Sequence, residues 1–161
     1  PFSQNAVNKL FKIKGKQSEG LSIMLNNKKE IYDYCEVNRK YENLITDFLP
    51  GPITLIMKSK KKFAKGVTKN GTIAIRVPLN ETANKLAKNG PIITTSANIH
   101  GETIAENIED AKNIFGDNCY YLDGEKPTGI ESTIIDLAKD KPEVRRIGAL
   151  YSTILEGMFE F

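Results

Sequence analysis

Three short stretches of this sequence gather side chains able to do chemistry. Lys14-Gly15-Lys16 sets two cations about a glycine, Thr95-Ser96-Ala97-Asn98 strings together small donors and acceptors, and Ser132-Thr133 brings two hydroxyls to the mouth of an apolar run. Arg76 and Arg146 add two guanidinium groups. The sequence has no GxSxG elbow, Walker A segment or HExxH pair, so no catalytic nucleophile and base can be named. This inventory suits positioning an anionic substrate and offsetting charge on a phosphoryl group more than covalent catalysis. Plainer readings stand beside it. Two lysines at a helix end neutralise its dipole, hydroxyl-rich turns bond their own backbone, and a strand arginine commonly makes an ion pair. His100 is the only histidine and a candidate general base, although a lone loop histidine is more often an ordinary surface residue.

Alternating helices and strands must position these groups. Ala6, Val7, Leu10 and Phe11 fall at helical spacing from Asn5 to Lys14, Gly15 stops the helix, and Lys14 continues its inward stripe. Leu21 to Leu25 reads as a strand. Two helical segments follow, the second carrying Leu44, Ile45 and Phe48 before Pro50-Gly51-Pro52. Ile53 to Met57 and Thr72 to Val77 read as strands joined by a hairpin-like return. The period of two turns Arg76 away from the face that takes Ile75 and Val77. Asn80 caps a helix to Lys88 with Leu86 and Ala87 inward. A buried strand opens after Gly90-Pro91 and delivers the Thr95 to Gly101 loop at its end, where open α/β sheets hold ligands. A helix with Ile108, Ala111, Ile114 and Phe115 inward stops at Gly116. Cys119 to Leu122 is a strand candidate, Asp123 to Gly129 a turn-rich loop, and Ile130 to Leu137 a strand. Asp140-Lys141-Pro142 then turns the chain into Val144 to Gly148, and a last helix runs from Leu150 to near Phe159. Hairpin links at 58–72 and 138–143 argue against a purely parallel sheet. The expected fold is α/β, a mixed, twisted sheet with packed helices.

A chain of 161 residues without repeat or linker is expected to form a single domain, 1–161. Its net charge of +3 permits an anionic substrate or RNA partner without requiring one. Lys58, Lys60, Lys61, Lys62, Lys65 and Lys69 form a run that suits nucleic-acid phosphates, though such a run is commonly just a solvated face. Cys35 and Cys119 lie far apart without CxxC spacing, so neither a zinc site nor a disulfide is expected. No apolar run approaches the ~20 residues that cross a bilayer, and no leader is visible, so a cytoplasmic protein with no membrane partner is expected.

Six motifs in order resemble those of the YrdC/Sua5 family, the threonylcarbamoyl-AMP synthases. They are Lys14-Gly15-Lys16, Pro50-Gly51-Pro52-Ile53-Thr54, Ile75-Arg76-Val77-Pro78, Thr95-Ser96-Ala97-Asn98 with Gly101, Gly129-Ile130-Glu131-Ser132-Thr133 with Asp136, and Arg146-Ile147-Gly148. The resemblance implies a YrdC/RibB-like α/β fold around a basic concave groove. It also implies a nucleotidyltransferase that joins L-threonine, bicarbonate and ATP into threonylcarbamoyl-AMP with release of pyrophosphate. ATP would come with Mg²⁺ as a substrate complex, with no metal tightly held by the protein. A partner transferase would then carry the threonylcarbamoyl group to tRNA, making t6A. By motif, Lys14, Lys16, Ser96, Asn98 and Arg146 would contact ATP and its phosphates. Ser132 and Thr133 would lie near threonine and carbamate, and Arg76 and Thr95 would line the groove.

The chain departs from the family pattern in three places. A Pro-Thr-(Asp/Glu)-Thr-x-Tyr-Gly-Leu segment would precede Pro1, so the domain is expected to be N-terminally incomplete relative to the family. Lys16 stands where an arginine is usual and lacks its fork, and Glu19 stands where a lysine is usual. Impaired activity of the chain as isolated is therefore expected. The alternative is a non-catalytic protein of the same fold that binds double-stranded RNA or tRNA. A carbamoyl-transfer domain from a hydrogenase-maturation protein ranks third, because its usual zinc fingers and acylphosphatase-like region are missing.

Overall fold

The structure is a computed structural model that describes residues 1–16, 20–122, 124 and 129–150. Glu19, most of the turn-rich loop 123–129 and the helix expected after Leu150 therefore lie outside the described residues. Helix α1 (Gln4–Lys14) starts where the Ser3 hydroxyl accepts the Ala6 N–H and ends where Gly15 takes a left-handed φ of 71°. Strand β1 (Ser22–Met24) leads to the short helices α2 (Ile31–Tyr34) and α3 (Glu42–Phe48). Strands β2 (Ile53–Lys58) and β3 (Thr72–Arg76) form the expected antiparallel pair. Helix α4 (Glu81–Ala87) follows its Asn80 cap. Strand β4 (Ile92–Thr94), helix α5 (Ile108–Phe115), and strands β5 (Thr133–Asp136) and β6 (Glu143–Arg146) complete the order.

The six strands form one mixed sheet in the order β4-β1-β3-β2-β5-β6. β1 with β3 and β2 with β5 are parallel, and the other three pairs are antiparallel. The register puts Ile93, Ile23, Ile75, Leu55, Ile135 and Val144 in one row across the sheet. This face meets Val7 and Phe11 of α1, Ile31 of α2, and Leu44 and Ile45 of α3 in the hydrophobic core. Alternation sends the neighbouring residues to the opposite face. There Met24 pairs with Arg76, and Ile134 pairs with both Thr54 and Arg146. The core therefore lies on one side of the sheet, and Arg76, Thr54 and Arg146 lie on the other.

Three expectations about elements need correction. β4 is an edge strand, with only β1 beside it, and all three of its residues are half-buried rather than buried. Cys119 to Leu122 forms no strand. Tyr120 is fully exposed, Leu122 is exposed, and no strand runs alongside them among the described residues. Leu86 points to solvent while Ala87 is buried, because adjacent helical residues are about 100° apart and this short helix has a narrow inward stripe.

Candidate functional site

Lys14 organises one side of the site. Its ammonium donates to the Ser96 carbonyl at 2.7 Å, the Asn98 carbonyl at 2.5 Å and Asn98 Oδ1 at 2.9 Å, which uses all three of its protons. Ser96 Oγ donates to the same Oδ1 at 2.7 Å, and Asn98 Nδ2 reaches the Glu102 carbonyl at 2.7 Å. The His100 N–H caps the end of α1 by donating to the Lys14 carbonyl at 3.0 Å. Burial lowers the Lys14 pKa from its ordinary value. The helix stripe thus does send Lys14 toward the protein, where its partners are loop oxygens.

Lys16 lies just beyond, with Nζ 2.9 Å from His100 Nε2. Both line a cavity of about 320 Å³ together with Lys14, Thr95, Ser96, Asn98 and Glu131. A hollow of about 460 Å³ along α4 is larger. Its Glu81 and Lys85 already neutralise each other at 2.7 Å, so size is a poorer guide here than unspent charge.

The second side is built around the ends of β5 and β6. The Arg146 guanidinium donates to the Ser132 carbonyl from Nε at 3.1 Å and from Nη2 at 3.0 Å, and its Nη1 meets Glu131 at 2.7 Å. Ser132 Oγ sits 2.8 Å from Thr54 Oγ1 and 3.4 Å from Arg146 Nη2. Thr133 stands behind this group rather than in the groove. It is 0% exposed, and its hydroxyl donates to the Leu150 carbonyl while accepting the N–H groups of Gly148 and Leu150, all at 3.0 Å. Its hydroxyl is thus fully engaged within the fold, beside the Ser132 expected near threonine and carbamate. Gly148 fits because a Cβ there would lie 2.2 Å from the Glu131 carbonyl oxygen and 2.5 Å from the Ser132 carbonyl carbon.

Arg76 occupies the sheet face opposite the core, as the period of two requires. Its Nε is buried without a hydrogen-bond partner, and no carboxylate pairs with it among the described residues. Burial, and then the positive charge of Arg146, lower its pKa. Two guanidiniums that repel each other, one with an unspent donor, form a place where an anion is favoured. The roles of Thr54 and Glu131 escaped sequence reading. Thr54 is visible only through the β2/β5 register, and Glu131 only through its pairing with Arg146. Among the described residues, no three His, Cys, Asp or Glu side chains gather as a metal site, and no helix is long and apolar enough to cross a membrane.

The family model for Sua5, YciO and YrdC, described as "Telomere recombination", matches residues 1–148. The chain belongs to the Sua5/YciO/YrdC family. It is 33% identical over 158 residues to the threonylcarbamoyl-AMP synthase of Pyrococcus abyssi, covering 92% of this chain and 46% of that protein. It is 34% identical over 143 residues to a putative threonylcarbamoyl-AMP synthase of Methanocaldococcus jannaschii, covering 87% of this chain and 68% of that one. The chain spans about half the length of several of these relatives. The solved structure of Pyrococcus abyssi Sua5 complexed with L-threonine superposes with a TM-score of 0.87 at 29% identity, over 96% of this chain and 47% of that one. Escherichia coli YciO superposes with a TM-score of 0.79 at 25% identity, over 96% and 77%. The family fold is therefore this α/β architecture with its open mixed sheet.

Proposed function

We propose that this family domain makes threonylcarbamoyl-AMP from L-threonine, bicarbonate and ATP and releases pyrophosphate. One observation carries the reading: Lys14, Lys16 and Glu131 line one cavity, Arg146 is bound to Glu131 at 2.7 Å, and Arg76, close enough to feel the charge of Arg146, keeps a buried Nε without a partner. The naming of its relatives and the Sua5 complex with L-threonine support the choice of substrates.

In this proposal the threonine amine and bicarbonate form a carbamate with loss of water, and a carbamate oxygen attacks the α-phosphorus of ATP as pyrophosphate leaves. Mg²⁺ arrives with ATP as part of the substrate and offsets its charge. Lys16, Ser96 and Asn98 hold the phosphates, with Lys14 shaping the loop that presents them. Arg146 steadies the phosphoryl group from the other side, Ser132 meets the threonine or carbamate, and Arg76 and Thr95 line the groove between. No side chain need act as a nucleophile, so rate comes from orientation and charge stabilisation. The product would pass to a transferase that modifies tRNA, which fits a cytoplasmic setting.

The test is pyrophosphate release by the purified chain with Mg²⁺, L-threonine and bicarbonate together and each omitted in turn. Release that needs all three is expected. ATP hydrolysis indifferent to threonine, or no release even from a longer chain that restores the family's upstream segment, would overturn the reading. A second reading rests on Lys58, Lys60, Lys61, Lys62, Lys65 and Lys69, all exposed and none in an ion pair among the described residues. It is a double-stranded RNA or tRNA surface, which would show affinity falling steeply with salt and no turnover.

A further inference from the structure

We propose that Asp136 is a positioning residue for Arg146. By holding Arg145 in a bulge of β6 it keeps two adjacent arginines apart, so that Arg146 alone reaches the mouth of β5. This deepens the proposed reaction, in which Arg146 steadies the phosphoryl group, and rests on that reading.

Glu143 stands opposite Asp136 and Val144 opposite Ile135, and a plain continuation of that ladder would set Arg145 opposite Ile134. The register shifts there, and Arg146 takes the place. Arg145 is thus the extra residue of a β-bulge. Without the bulge, alternation would send Arg146 to the face of Ile135 and the core. The bulge is what delivers it to the face of Ile134 and Thr54, where its guanidinium meets the Ser132 carbonyl and Glu131.

Both ends of this segment are fixed. Val144 is paired on one side, and on the other the Gly148 N–H donates to Thr133 Oγ1 at a point with no room for a Cβ. One residue too many lies between, and Asp136 selects which one bulges. Arg145 Nε and Nη2 donate to Asp136 Oδ2 at 3.3 and 3.1 Å. Asp136 is only 6% exposed, and its Oδ1 accepts the Ala138 N–H at 3.1 Å, so the carboxylate is held from its own strand end. Glu143 also accepts from Arg145, at 2.8 Å, but is exposed enough to share itself with Lys139. Asp136 and Ile134 share a face, so a released Arg145 carries the same fork to the same side as Arg146 and competes for Glu131 and the Ser132 carbonyl.

The Nε–H group of each arginine gives its own NMR signal, and Arg39, Arg76, Arg145 and Arg146 are the only arginines. The experiment measures hydrogen exchange at Arg146 Nε–H, which donates to the Ser132 carbonyl, with exposed Arg39 as internal reference. Its protection is expected to fall about tenfold in Asp136→Asn and to return in Asp136→Asn/Arg145→Gln. Arg145→Gln alone, which stays informative if Asp136→Asn does not fold, is expected to leave protection intact. Unchanged protection in Asp136→Asn, equal loss in the double variant, or loss in Arg145→Gln would overturn the proposal, because Asp136 would then act through the hairpin's fold and not through Arg145. Affinity for inorganic tripolyphosphate is expected to follow protection across the series. Affinity that stays constant while protection falls and returns would overturn the phosphoryl reading of Arg146 and sustain its positioning by Asp136.

Discussion

Lys14 and Thr133 each close a loop onto the groove by three hydrogen bonds, and they do so by opposite means. Lys14 is a half-buried cation that gathers oxygens of a loop at the edge of the sheet. Thr133 is a neutral hydroxyl, 0% exposed, that joins the start of β5 to the segment just past β6. A charged anchor near water gains little net stability but can exchange a loop oxygen for a ligand oxygen. A buried hydroxyl with every bond made stabilises the fold and offers nothing to a substrate. One side of the groove is therefore built to respond, the other to stay.

The sharpest test of the fixed side is Gly148→Ala. Its new Cβ would collide with the Glu131 and Ser132 backbone, and a loss of about 3 kcal/mol or more in urea unfolding is expected. A loss below about 1 kcal/mol would mean that the mouth of β5 and β6 spreads easily, and the contrast would collapse. Thr133→Val keeps the shape but strands two N–H groups and one carbonyl, so about 2 kcal/mol should be lost while ATP affinity barely changes. Lys14→Met should behave in reverse, losing less than about 1 kcal/mol of stability but weakening ATP binding by roughly tenfold in calorimetry. A stability loss equal to that of Thr133→Val would show that both anchors are structural.

The smallest effect concerns the thiols. Cys35 is fully buried, and burial pushes its pKa up from 9 to about 12, whereas Cys119 is half-exposed. The folded chain thus holds the Cys35 proton more tightly than the unfolded chain. This stability is fully present below pH 9 and is lost as pH rises toward about 12. A thiol reagent at pH 8 should label Cys119 in the native protein and reach Cys35 only after unfolding.

Elements defined by periodicity and caps were legible in the sequence. The Val7, Leu10, Phe11 stripe with Gly15, the apolar run of β2, the Asn80 cap, and the Ile108, Ala111, Ile114, Phe115 stripe all mark real elements. The hairpin links also read correctly, and with them the mixed sheet. Strand order could not be read there, because β4 owes its edge position to the partners it lacks, which the local residues do not encode. Arg76 was placed on the right face by alternation alone, yet its want of a carboxylate partner appears only in three dimensions. Thr133 shows the same limit. Next to Ser132 it reads as half of a hydroxyl pair, but alternation in β5 sends the two to opposite faces.

The edge position of β4 also bears on motion. It is held by three register pairs to β1 and by Ser22 Oγ, which lies 2.9 Å from the Thr94 carbonyl and 3.0 Å from the Thr94 hydroxyl. Peeling it away disturbs one neighbour, whereas separating β5 would disturb two. Amide hydrogens at Ile93 and Thr94 should therefore exchange with solvent well before those of Leu55 or Ile135, through openings smaller than global unfolding. The 95–101 loop would ride on those openings, so the groove has a wall that breathes, latched to α1 by the Lys14 ammonium and the His100 N–H.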